Sequence, residues 1–149
     1  MYITVRIARW AYLCYSHKIF RMGGGNRIFK AFNRLLFSCD IAYQINLPAS
    51  TKLPHNGLGV VIHPSVQIGE HCIIHQNVTI GAKGKPGFGN EAPIIGNNVM
   101  IGAGAVVLGK IIIGNNAIIG ANAVVLKNVP EGAMVAGVPA EVKYIIEKK

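Results

Sequence analysis

Cut every six positions, residues 95–125 read IGNNVM IGAGAV VLGKII IGNNAI IGANAV V. Each group opens on an aliphatic residue: Ile95, Ile101, Val107, Ile113, Ile119 and Val125. The same frame runs earlier through Ile62, Ile68, Ile74 and Ile80. Glycine follows that residue at Gly69, Gly81, Gly96, Gly102, Gly114 and Gly120. A six-residue period is neither a helix period nor plain strand alternation. It marks a repeat, and repeats decide the fold before local propensity does. The spacing predicts an all-β solenoid, a parallel β-helix in which each hexad forms one short side of a coil. The aliphatic residue points inward and stacks on its equivalent in the next coil. The following glycine fits a tight corner where a side chain would crowd the backbone.

The frame reaches back through Leu53 and Leu47 to Ile41. It is interrupted twice. Extra residues lie in Pro54–Gly59 and again in Ala82–Asn90. Insertions in solenoids project from one face and often build the site. The repeat is expected to end near Val125, with Ala136–Ala140 as a turn-rich exit and Val142–Lys149 as a short basic helix or tail. Before the repeat, residues 2–20 read as an amphipathic helix, broken by Gly23–Gly25. A second helix is expected after Asn26, its apolar stripe running from Ile28 to Cys39. Two readings fit these basic helices: a cap over the open end of the coil, or a membrane-surface element. The expected organisation is a helical segment at 1–38, the β-helix at 39–130 with a loop at 82–92, and a C-terminal cap and tail at 131–149.

Composition agrees with one β domain. Of 149 residues, 51% are hydrophobic and only 14% charged, and Ile and Val carry the apolar load. The net charge of +9 favours anionic partners. No arginine occurs after Arg34, which argues against a nucleic-acid groove on the repeats. Cys14, Cys39 and Cys72 form no disulfide framework and no metal-binding pair, so a reducing cytoplasm is the expected location. No stretch has the length and apolarity of a transmembrane span.

The chemistry is expected at the interruptions. His55 sits in the first, and Asp40, the chain's single aspartate, lies fifteen residues earlier. A coil of three hexads has eighteen residues, so a three-residue bulge brings the two near one another on adjacent coils. A carboxylate beside an imidazole fixes its tautomer and raises its basicity. A turn histidine with a solvated aspartate is the other reading. The second interruption is glycine-rich and basic. Its Lys83 and Lys85 suit a phosphate, and a plain surface loop fits equally. His71 and His75 lie four apart without a third ligand, so no metal site is expected.

The hexads, with Cys39-Asp40-Ile41, Pro54–Pro64, Val78–Gly81, Ile101–Ala105 and Ala136–Ala140, resemble the left-handed β-helix hexapeptide acyltransferases, in particular the serine acetyltransferase branch. The resemblance implies an acetyl-CoA-dependent O-acetyltransferase that works as a homotrimer, with acetyl-CoA in a groove between subunits. It implies His55 as general base and Asp40 as its orienting partner. It matches Ala103 and Ala121 to residues whose backbone meets the pantetheine arm and Lys127 to a position near the nucleotide phosphates. Lys83, Lys85 and Lys143 are further phosphate candidates. Asn90-Glu91-Ala92-Pro93 lacks the histidine that serine-using relatives carry before the proline. The short basic N-terminus resembles sugar O-acetyltransferases of surface-polysaccharide pathways. A sugar hydroxyl of a glycan or its precursor is therefore the expected acceptor, with peripheral membrane contact, and L-serine is the alternative. A zinc enzyme of the γ-carbonic-anhydrase kind and a non-catalytic scaffold are remote alternatives.

Overall fold

The computed structural model describes residues 31, 34, 35, 38–42, 44–84 and 91–145. The helix expected over 2–20 and most of the second lie outside these residues. Ala31, Arg34 and Leu35 are helical.

The coil is built from strands of two to five residues on three faces. On the first face Asp40–Ile41, Val61–Ile62, Thr79–Gly81, Val106–Leu108 and Val124–Val125 pair in parallel, in that order. On the second, Gln67–Ile68, Ile94–Ile95 and Ile112–Ile113 stack in the same way. On the third, Ile73–Ile74, Met100–Ile101, Ile118–Ile119 and Ala133–Ala136 do so. Parallel register places like on like, so the hexad residues become columns. Ile41, Ile62, Ile80, Val107 and Val125 form one, and Ile74, Ile101, Ile119 and Val135 another. All of these are buried. Burial of each such side chain is worth roughly 1.5–3 kcal/mol, and the column repeats it coil after coil.

The corners between faces decide the glycines. A Cβ on Gly102 would stand 2.6 Å from the backbone nitrogen of Ala121 on the coil above. Several of the neighbouring turns use asparagine at positive φ, among them Asn77, Asn98 and Asn116. Asparagine tolerates that region better than other side chains with a Cβ.

Two C-terminal features differ from the sequence reading. Stacking runs past Val125: Val129 bridges Ile113, and Ala133–Ala136 pairs with Ile118–Ile119. Val142–Lys149 is expected as a short basic helix or tail, whereas Glu141–Ile145 is a strand antiparallel to Ala133–Ala136. The last coil leaves a row of unpaired backbone groups, and the segment supplies Val142, Tyr144 and Ile145, residues that favour strands. No helix among the described residues is long and apolar enough to cross a membrane.

Candidate active site

The first interruption folds as a tight turn, Pro54–Gly57, directly after buried Leu53. His55 (φ 55°) and Asn56 (φ 55°) are left-handed, and Gly57 and Gly59 follow at 71° and 69°. For a residue with a Cβ that conformation costs about 1–2 kcal/mol, and such strain concentrates at functional sites. The turn is held from both ends. Leu58 N–H donates to His55 O at 3.3 Å, and Val60 N–H to Gly57 O at 2.9 Å. Asn77 N–H donates to Leu58 O at 2.8 Å. The imidazole of His55 stands exposed on this rim.

Asp40 opens the first face one coil below. Its N–H donates to Val60 O at 2.8 Å, which ties it to the segment that carries His55. Asp40 pairs in register with Val61, 21 positions on, whereas Val61 pairs with Thr79, 18 positions on. The three extra residues belong to the His55 turn. The register thus sets Asp40 beside Val61, six residues after His55 in the chain. Arg34 is an unforeseen participant: its guanidinium donates to the Asp40 carboxylate as a salt bridge.

Ala103 and Ala121 lie on the corner that His55 begins. Asn77 N–H bonds to Leu58 O, Gly104 N–H to Gln76 O, and Asn122 N–H to Ala103 O. This ladder climbs the corner from the His55 turn to Ala121. Gly102, Gly104, Gly120 and Asn122 all donate their N–H groups within it. The N–H groups of Ala103 and Ala121 donate to no described residue. Two unspent donors in a column above an exposed imidazole are a suitable berth for an amide-bearing arm.

The lysines occupy the other edge of the same face. Ile80 pairs with Val107 and Val107 with Val125; Lys83 and Lys110 lie three residues past their paired positions and Lys127 two past its own, on three successive coils. All three are exposed. The stem of Lys83 lies 3.3 Å from the place a Cβ on Gly109 would take. Lys110 went unnoticed in the sequence reading, although its offset from Val107 repeats that of Lys83 from Ile80. Lys143 lies elsewhere, on the C-terminal strand that extends the third face. Lys85 falls outside the described residues. The ends of its loop are clipped together by Lys83 N–H donating to Glu91 O at 3.0 Å.

The buried thiols take no part. Burial, opposed by a backbone hydrogen bond, pushes Cys39 up to about 11 and also raises Cys72. A protonated, enclosed thiol is a poor nucleophile. Among the described residues no three His, Cys, Asp or Glu side chains gather as metal ligands.

Residues 92–127 match the family described as bacterial transferase hexapeptide (six repeats). A serine acetyltransferase of Synechococcus elongatus is 40% identical over 139 residues, covering 93% of this chain and 54% of its own. The chain is serine acetyltransferase-like in sequence and in fold. A crystal structure of serine acetyltransferase from Brucella abortus in complex with coenzyme A superposes with a TM-score of 0.87 at 30% identity, covering 97% of this chain and 56% of that one. The Neisseria gonorrhoeae serine acetyltransferase in complex with serine gives 0.82 at 32% identity, covering 93% and 54%. The chain thus spans about half the length of the relatives it matches. With the parallel stacking, these matches give the coil the left-handed sense of the hexapeptide β-helix.

Proposed function

We propose that the chain transfers an acetyl group from acetyl-CoA to the hydroxyl of L-serine. The observation that carries this reading is the strained, exposed His55 turn, tied through Val60 to Asp40 and standing at the foot of the Ala103–Ala121 corner. Its Nε2 or Nδ1 accepts the hydroxyl proton while the hydroxyl oxygen attacks the thioester carbon. A C–O bond forms, the C–S bond breaks, and the departing thiolate takes the proton back from the imidazolium. Asp40 orients the ring and stabilises its protonated form. The free N–H groups of Ala103 and Ala121 hold carbonyl oxygens of the pantetheine arm, and the lysines of the other edge meet the phosphates. A homotrimer would enclose the arm between subunits.

A sugar hydroxyl was the acceptor expected from the basic N-terminus. The similar proteins support serine instead: their names carry that amino acid, and one was solved in complex with it. The test is release of free CoA by the purified chain from acetyl-CoA, with L-serine and with glycan precursors in parallel. Turnover with serine, lost in His55→Ala and only reduced in Asp40→Asn, is the expected result. Turnover with a glycan precursor and none with serine would overturn the acceptor. CoA release unaffected by His55→Ala would overturn the mechanism.

A further inference from the structure

His63 is an outward residue that the proposed chemistry leaves unused. Asp40 pairs with Val61, and His63 lies two residues beyond Val61. Alternation returns it to the outer side of the first face, about 6.6 Å along the strand and about 4.8 Å across from Asp40. Both residues line one cleft of about 270 Å³, closed by Ala42, Pro64, Gly81 and Ala82. Clefts for drug-sized ligands begin near 300 Å³, so this one suits a small metabolite.

The two nitrogens of His63 have different duties. Ser65 N–H donates to Nδ1 at 3.3 Å. Nδ1 is therefore unprotonated in the neutral ring, and the proton sits on Nε2. No hydrogen bond to a described residue occupies Nε2–H, in a half-buried side chain that faces the cleft. An open donor and the Asp40 carboxylate thus line the same cleft. With the Asp40 carboxylate paired to Arg34, this N–H is a donor the cleft can offer to an anionic group of a small acceptor.

We infer that His63 selects the acceptor, its Nε2–H donating to the α-carboxylate of a small hydroxy-amino acid. This deepens the acyl-transfer reading and rests on it. The same geometry supplies a test that separates binding from turn structure. Asparagine places an acceptor where Nδ1 was and has nothing at Nε2. Glutamine places a donor near Nε2 and loses the Nδ1 acceptor. His63→Asn should raise the KM for L-serine by about ten- to a hundredfold, as expected for a lost hydrogen bond to a charged group, and leave the KM for acetyl-CoA unchanged. His63→Gln should stay within about threefold of the wild type. L-serine methyl ester, which lacks the carboxylate, should be a far poorer acceptor than serine for the wild type but not for His63→Asn. The inference is overturned if His63→Asn keeps the wild-type KM and ester discrimination, or if His63→Gln is the damaged variant. In both cases serine turnover lost in His55→Ala leaves the acyl-transfer reading standing. A wild type that binds CoA and releases none with serine would overturn both.

Discussion

The upper coils and the His55 turn are made of the same chain under opposite rules. From Ile94 to Val125 each residue has a counterpart one coil away, and the backbone ladder is continuous. Inward positions are closed, and corners are so tight that Gly102 touches the backbone above. In Pro54–Gly59 the register is broken, two residues with side chains are forced left-handed, and the imidazole is exposed. The difference teaches where each kind of energy resides. Stability is spread evenly over stacked columns, while the proposed chemistry uses a side chain that an insertion frees from them. Substitutions in the two regions should therefore fail in different assays.

The sharpest test of that division is His55→Ala. General-base catalysis contributes about 10²–10⁴-fold, so kcat should fall by that factor. The side chain is exposed, so the melting temperature should move by little and CoA should still bind. Loss of folding with loss of activity would erase the distinction between the regions.

Ile101→Ala should do the reverse. Ile101 is fully buried between Ile74 and Ile119. Truncation of such a side chain costs about 2–5 kcal/mol, measured as a lower denaturant midpoint. At temperatures where the variant is folded, kcat should stay near the wild-type value. A large kcat loss in the folded protein would mean that the columns tune the site and do more than support it.

How much of this the sequence disclosed follows from the same division. The columns were legible because a strict period needs no knowledge of partners: Ile101 announces its own role. His55 stands out because the period fails around it, and its separation from Asp40 can be counted in coils. Arg34, Lys110 and His63 were harder. Their placement depends on which residues an inserted turn brings opposite them, and Asp40 finds Val61 only because the step is 21 and not 18. The C-terminal strand was misread for a related reason. Antiparallel addition to an edge obeys no six-residue spacing, so Glu141–Ile145 looked like a basic tail.

A gentler probe of the regular region is Gly102→Ala. Its new methyl would lie 2.6 Å from Ala121 N, and backbone there cannot swing aside. Overpacking of this kind costs about 1–3 kcal/mol. Since the shift would displace the Ala121 N–H, CoA affinity should fall together with the unfolding midpoint. A variant that loses stability and keeps its affinity for CoA would remove Ala121 from the binding corner.

The smallest effect belongs to Lys110. It is exposed, and an exposed ion pair contributes about 0.2–1 kcal/mol, which corresponds to a change of fivefold or less in CoA affinity. Size alone would not distinguish a phosphate contact from a general charge effect, but salt and ligand choice do. The screening length is about 10 Å at 0.1 M and about 3 Å at 1 M salt. The loss in Lys110→Ala should therefore be clear at low salt and fade at high salt. It should be greater for CoA than for dephospho-CoA, which lacks the 3′-phosphate, if Lys110 reads that group. Equal losses for both ligands would assign Lys110 to the diphosphate or to the overall field. No loss at low salt would leave Lys83 and Lys127 as the phosphate contacts and return Lys110 to the solvated rim of the regular coils.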